Sequence, residues 1–427
     1  MNENPKNKIY KLCCDLFPIN RSITGEGTRR SLRILQKELP NLKIHEIASG
    51  TKCFDWTIPD EWNIKDAYIL DPSGKKIVNF KDNNLHVVGY SEPIDDIFSL
   101  DQLSKKLYSL PDQPDAIPYI TSYYKRDWGF CISDNEKRKL KDGKYKVFID
   151  SEIKKGVMNY AELLIEGRSD DEVFFSTYIC HPSMANNELS GPALTTYLAK
   201  YIQSIENRRN SYRLVFIPET IGSIAYLSKH INELKEKVVA GFNISCVGDN
   251  NDFSYLPSRN GNTLSDRAAL HVLNHLGLDY KKYSFLDRGS DERQYCYPGV
   301  DLPIASIMRS KYGTYDQYHT SLDDLNFISS EGLNGSYEAY IKVIESLEEN
   351  VIYQNELLCE PQLSKRGLYP SLSTKDSNQQ VETMMNMLTY FDGATDLLSI
   401  ADKLEKPIWD LIKIVKLLKE HDLIINK

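Results

Sequence analysis

The sequence predicts an α/β protein: a mixed β-sheet with helices on both faces, a small β-rich domain inserted into it, and a helical unit at the C-terminus. Three observations predict this. From about residue 155, short apolar β-rich runs alternate with amphipathic helical patterns. Residues 62–150 break that rhythm with short β-like pieces separated by Gly, Pro, Asn and Asp. Beyond residue 373 the pattern turns helical to the end.

Taken in order, the chain opens on "MNENPKNKIYKLCCDLF", which has no apolar h-region, and nothing later reaches about 18 consecutive apolar residues. Neither export nor membrane insertion is expected, and the expected location is cytoplasmic. Residues 1–61 and 151–358 are assigned to the α/β domain. Within the insertion at 62–150, "AYILDPSG", "KKIVNF", "LHVVGY", "WGFCIS" and "KYKVFID" read as strands of a mostly antiparallel domain, and "LPDQPDAIPY" (110–119) as an ordered connection. In the α/β domain "EVFFSTYI" leads to a helix near Gly191, where Leu194, Tyr197, Leu198, Tyr201, Ile202 and Ile205 form a stripe at three- and four-residue spacing. "YRLVFIPE" leads to a helix near Gly222, and "VVAGFNISCVG" and "LPIASIM" are further strands. Near-continuous apolar strands imply a sheet covered on both sides. "CEPQLSKRGLYPSLS" (359–373) reads as a linker and docking segment, and residues 359–427 as a winged-helix-like domain, with Pro407 opening a helix.

Composition narrows the function. The 427 residues carry a net charge of −8, with 41% hydrophobic and 26% charged residues. That is ordered globular protein without a concentrated cationic face for phosphate. Residues 388–427 hold six lysines against seven acids, a net of −1, so the C-terminal unit reads as a packing or assembly module, able to support a homo-oligomer, rather than a nucleic-acid reader. The eight cysteines form no CxxC pair, and Cys180 reads as a buried strand thiol, not a nucleophile.

Three polar residues fall where strands end: His181, Glu219 and Asp249. In open α/β sheets ligands bind at the carboxyl ends of strands. His181, Glu188 and the late His319 can supply two imidazoles and a carboxylate to one zinc ion, leaving a fourth position for water. Glu219 is then placed as general base for that water. Singly, each of these residues has an ordinary structural use; the joint pattern points to metal hydrolysis.

The same residues resemble the zinc aminopeptidases of the di-zinc exopeptidase clan: His181, "NELSG" (187–191), "ETIGS" (219–223), "GSDER" (289–293) and "YHTSLDDL" (318–325) follow that family's order of motifs. The whole chain, including "FPINRSITGEG" (17–27), is similar to bacterial aminopeptidase-like proteins associated with polysaccharide biosynthesis, which join this domain to an inserted β domain and a winged helix. The resemblance implies a zinc-exopeptidase-like sheet, peptidase chemistry, a general-base role for Glu219, and substrate contacts in the 288–299 loop. It loses three acidic ligands, whose places fall on Asn187, Thr220 and near Ser245, so one zinc per chain is expected instead of two. Asp291 and Arg293 become candidates for a substrate amine and carboxylate, Tyr295 or Tyr318 for an oxyanion donor, and Asn187 and Asp249 for residues supporting the metal ligands. The expected substrate is an amide in a peptide or an amino-acid-decorated small molecule. The alternative is a non-catalytic ligand-binding or regulatory protein on a degenerate peptidase fold.

Overall fold

The computed structural model describes residues 5–368 and 375–427. Its centre is an eight-stranded mixed sheet in the order Lys43–Ala48, Val157–Ile165, Ser211–Ile217, Glu172–Tyr178, Val238–Asn243, Ile304–Met308, Phe253–Leu256, Tyr280–Lys282. The four middle strands run parallel, from Ser211–Ile217 through Ile304–Met308. Antiparallel strands flank them on either side.

The central strands are buried on both faces, which is why they read as unbroken apolar runs. Successive side chains go to opposite sides. Phe175, Leu214, Phe216 and Phe242 join one core with Leu12, Leu35, Leu194, Leu198, Leu273 and Leu333 of the helices on that face. Phe174, Val215, Ile217 and Ile304 join a second core with Ile221, Ile224 and Leu227 of the Ile221–Lys237 helix.

The insertion is a four-stranded antiparallel sheet, ordered Lys76–Asn79, Glu61–Leu70, Lys144–Lys154, Ile94–Ser99, over a core of its own that includes Ile69, Val78, Phe130 and Val147. Two sequence readings change here. "LHVVGY" contains a 3₁₀ turn at Asn84–His86, capped by Asn83, in place of a strand. Ile94–Ser99 is a strand whose consecutive aspartates hide its alternation.

At the C-terminus the helices Lys375–Tyr390, Leu397–Lys403 and Ile408–Glu420 pack with a three-stranded sheet ordered Asp392–Asp396, Ile352–Asn355, Ile424–Asn426. Its central strand lies ahead of residue 359, where sequence placed the start of this unit. Four residues are too few to show a period, and their partners come some forty and seventy residues later. Of the 359–373 stretch, 369–373 lie outside the described residues; Leu363–Arg366 is a 3₁₀ turn with Leu363 buried.

The winged-helix unit is bonded to the α/β domain. Arg267 donates to both carboxylate oxygens of Asp396, at 2.9 and 2.7 Å, and to Ser399. His271 bridges Asp402 at 2.6 Å and the backbone N–H of Ile408 at 2.9 Å. Its apolar side chains belong to the main core cluster. Among the described residues no helix is long and apolar enough to cross a membrane.

Candidate active site

The site forms where the parallel strands end. Four non-glycine residues beyond those ends have positive φ: Ser183 (30°), Thr220 (62°), Cys246 (53°) and His319 (55°). Such strain persists only where surrounding contacts enforce it, and it gathers at functional sites.

His181 follows the Glu172–Tyr178 strand and is 3% exposed. A buried single-turn π-helix, Ala185–Leu189, carries Glu188 back onto it. The turn can sit so close because Gly191 opens the next helix: a Cβ there would lie 2.4 Å from the Ile244 carbonyl oxygen. His181 Nδ1 donates to Glu188 Oε2 at 2.6 Å, since a carboxylate only accepts. Glu188 Oε1 accepts the Cys180 backbone N–H and lies 3.9 Å from Nε of Arg21, whose side chain is fully buried. Arg21 also donates to the His181 carbonyl at 2.9 Å. Burial pulls the His181 imidazole toward neutrality; Cys180 and Glu188 outweigh it and hold its pKa well above the ordinary histidine value. Burial pushes the Cys180 thiol up to about 11.

Glu219 follows the Ser211–Ile217 strand. Its Oε2 faces His181 Nε2 at 3.6 Å and its Oε1 accepts from Ser290 Oγ at 2.8 Å. Burial raises its pKa, against the lowering effects of the His181 charge and the Ser290 hydrogen bond. Asp291, fully buried, accepts from the Thr220 N–H at 2.7 Å and Ser223 Oγ at 2.8 Å, while its Oδ2 has no partner. Burial and then the Glu219 charge push Asp291 up to about 8. Arg293 donates to Thr220 Oγ1 at 2.8 Å and to the Ser290 carbonyl at 3.0 Å.

His319 brings its ring to 5.5 Å from that of His181, centroid to centroid, and stacks on Tyr318 at 3.9 Å. Burial and the His181 charge lower its pKa to about 3, so it presents a neutral imidazole. Its loop is held by the inserted domain. The Tyr119 N–H donates to the His319 carbonyl at 2.8 Å, and Ser321 exchanges two bonds with Ile117. The Tyr119 ring stands edge-on to both histidines, 5.2 Å from His181 and 5.3 Å from His319. Sequence reasoning found no individual residue of note in the insertion. The only clue was the proline-rich 110–119 segment, and nothing in it reveals its pairing with residues 316–321. Asp323 was also missed: its carboxylate accepts the Asn186 and Asn187 N–H groups at 2.6 and 2.9 Å and so fixes the π-turn.

The hydrogen-bond partners of the other candidate residues are these. Glu188 lies on the Nδ1 side of the His181 ring, one oxygen on the Cys180 N–H and the other on Nδ1. Tyr295 is a core residue, fully buried, with its hydroxyl bonded to Ser176 at 2.8 Å. Asp249 is occupied by Asn186, Asn251 and Ser310 and holds the 248–251 turn to the 310 loop. Asn187 donates to Tyr178 OH at 2.9 Å.

Around His181 Nε2 stand the Glu219 carboxylate, with Oε2 at 3.6 Å, and the neutral His319 ring, 5.5 Å away between centroids. The carboxylate on His181 Nδ1 is the arrangement that orients metal-binding histidines. Imidazole and carboxylate are ligand types that zinc takes. Among the described residues, two groups of three ligand-type side chains converge: Cys180, His181 and Glu188, and His271, His275 and Asp402. The second is explained by docking, since both His271 nitrogens are occupied.

A family model described as a domain of unknown function, DUF4910, matches residues 10–350, and a winged helix-turn-helix model matches residues 351–426. A Clostridium acetobutylicum protein, provisionally named for polysaccharide biosynthesis and an aminopeptidase-like domain, is 45% identical over 398 residues, covering 93% of this chain and 91% of its own. A crystal structure of a provisionally named peptidase from the same organism superposes with a TM-score of 0.93 at 42% identity, covering 99% of this chain and 96% of that one. A zinc aminopeptidase from Bacillus subtilis superposes with a TM-score of 0.58 at 11% identity over 80% of this chain and 94% of its own, a likeness of fold.

Proposed function

The chain belongs to the family of aminopeptidase-like proteins defined by that domain of unknown function and carrying a C-terminal winged helix, and from this premise we propose that it is a metal-dependent amide hydrolase using Glu219 as general base. The observation that carries the reading is the 3.6 Å apposition of Glu219 Oε2 and His181 Nε2, with the far side of the imidazole pinned by a buried carboxylate. One zinc per chain is proposed, held by His181 and His319 with Glu219 beside them. Zinc there would supply Lewis acidity, acidifying water and polarising the amide carbonyl.

The chain's own groups do the rest. Glu219 Oε2 takes a proton from the attacking water and returns it to the departing amine. Ser290 fixes the other oxygen of that carboxylate, which leaves Oε2 beside His181 Nε2. Glu188 fixes the His181 tautomer. Tyr318, on the ring face of His319, is the oxyanion donor; Tyr295 is spent on Ser176. Arg293 receives a substrate carboxylate or phosphate.

The substrate class is a peptide-like or amino-acid-decorated small molecule, a reading favoured by the Clostridium relative's name. The docked winged helix serves packing instead of nucleic-acid binding. The test is metal analysis of untagged protein together with a screen of aminoacyl arylamides and N-acyl sugars. About one zinc per chain, lost in His181→Ala, and turnover abolished in Glu219→Gln with zinc retained, is the expected result. Full zinc retention by His181→Ala refutes the ligand set, and unchanged turnover by Glu219→Gln refutes the base.

A further inference from the structure

Beside the catalytic residues lies a cavity of about 710 Å³ that they do not explain. Its floor is apolar, built from Ile224, Leu227 and Ile231 of the Ile221–Lys237 helix, whose first turn follows Glu219 and Thr220. One wall is the hairpin joining Lys52–Cys53 to Trp56–Thr57, and the other is the loop at Tyr297.

The walls are aromatic and open. Phe54 is 61% exposed, Trp56 40% and Tyr297 64%. Phe54 sits at the hairpin tip with φ 53°, a conformation bulky side chains avoid. A glycine or asparagine would make that turn without strain, so a strained, solvent-facing phenylalanine calls for another reason. Two cations line the same cavity: Arg288 and Arg293. The buried or half-buried Arg21, Arg29, Arg213 and Arg267 lie beside carboxylates. Among the described residues neither Arg288 nor Arg293 has such a partner; their bonds go to neutral oxygens of Phe285, Ser290 and Thr220. Asp55 and Gln294 add groups suited to hydroxyls.

The geometry points to a sugar subsite: we propose that the ring of an anionic sugar lies against Trp56, Phe54 and Tyr297 while its phosphate or carboxylate pairs with Arg288 and Arg293. A pyranose presents C–H bonds on one face and hydroxyls around its edge, so it suits a wet aromatic platform. An aromatic peptide side chain is better served by a closed slot. Arginine offers forked donors to either anion. Arg293 also links this groove to the reacting end, through Thr220 and through Ser290, which donates to Glu219. The inference rests on the hydrolase reading only for what happens at Glu219; it extends that reading by assigning the part of the substrate remote from the amide.

The test uses full-length Glu219→Gln protein, so that nothing is consumed, with tryptophan fluorescence and calorimetry as readouts. The probes are N-acetylglucosamine 1-phosphate, glucuronate, neutral N-acetylglucosamine and the dipeptide Ala-Phe. At least one anionic sugar is expected to bind ten-fold or more tighter than the neutral sugar and the dipeptide, and whichever does so identifies the anion. Adding Trp56→Ala or Arg288→Gln, both at exposed positions, should each weaken it at least ten-fold with unchanged circular dichroism and Tm. Anionic sugars that bind no tighter than the neutral one, tighter binding of Ala-Phe, or full affinity in the Trp56→Ala variant each overturn the proposal. Hydrolysis of simple arylamides without sugar binding would leave the hydrolase standing and remove the subsite. Sugar binding with no amide turnover in the wild type would do the reverse.

Discussion

Replacing Glu188 with Gln leaves the shape of the site nearly intact and removes one buried charge. Arg21 and Glu188 are both fully buried, with Arg21 Nε 3.9 Å from Glu188 Oε1. Burial lowers the guanidinium to about 10, so it stays charged at neutral pH. At an effective dielectric of about 20 the attraction between unit charges at that separation is about 4 kcal/mol. Breaking a buried pair from one side costs about 3–5 kcal/mol, because the partner is left uncompensated. Arg21 keeps two neutral carbonyl partners, Leu16 and His181, which solvate the charge only in part. Glu188→Gln should therefore destabilise the α/β domain by about 3 kcal/mol, lowering a urea midpoint by roughly 1 M at an m-value near the top of the usual range. Metal is removed beforehand with a chelator, so that lost binding energy does not enter the result. Arg21→Met alone should cost a similar amount, and the double variant much less than the sum, with a coupling of at least about 2 kcal/mol. A Glu188→Gln cost below about 1 kcal/mol, or strict additivity in the double variant, would refute the reading of Arg21 and Glu188 as a buried pair behind His181.

Two further outcomes follow from docking and from the insertion. Asp396, bonded to Arg267, Ser399 and backbone, has its pKa lowered to about 2; burial opposes that shift and the bonds prevail. A carboxyl lowered on folding contributes stability above its unfolded pKa and loses it as pH falls, here between about pH 4 and pH 2. Partial exposure of the pair reduces the effect to about 1 kcal/mol. Limited proteolysis near residues 356–368 should accelerate across that window, and Asp396→Asn should show the faster rate already at neutral pH; a pH-independent rate would refute this. Tyr119→Ala should lower kcat/KM at least ten-fold on any substrate the screen finds, by releasing the wall beside His181 and His319, whereas Tyr119→Phe should retain most of it. Loss in both would assign the role to the hydroxyl instead of the ring.

The fold was legible because its signals are local. Phe174 and Phe175 on opposite faces, and the stripe from Leu194 to Ile202, write burial directly into the order of residues. At the site, His181 and Glu219 could be found because each lies just past a run of strand residues. What sequence could not carry was direction. Glu188 stands seven residues after His181, a spacing that suits a shared ion, yet the π-turn brings it to the other nitrogen of the ring. Tyr295 shares a loop with Arg293, but a single helical turn, Glu292–Tyr295, sends one side chain into the core and the other toward the opening. Tyr119 and Asp323 act through pairings some two hundred and one hundred and forty residues apart in the chain, and no local pattern records these.

The number of ions the site can hold is set by charge as much as by ligands. At the three positions where the resemblance loses acids the structure has neutral side chains: Asn187 on the Tyr178 hydroxyl, Thr220 and Ser245. Thr220 Oγ1 accepts from the Arg293 guanidinium at 2.8 Å. A unit positive charge therefore rests on the residue that aligns with the missing glutamate. A dication about 4 Å from it would meet a repulsion of about 8 kcal/mol at an effective dielectric of 20. The nearest spare acid, Asp291, is raised to about 8 and offers only a fraction of a charge at neutral pH. On this account the guanidinium occupies the electrostatic place of a second ion. Restoring the acid and removing the cation together, Thr220→Glu with Arg293→Ala, should raise bound zinc from about one to about two per chain in metal analysis, and Thr220→Glu alone should not. Two zinc ions in the unmodified protein, or in Thr220→Glu alone, would show that Arg293 does not set the count.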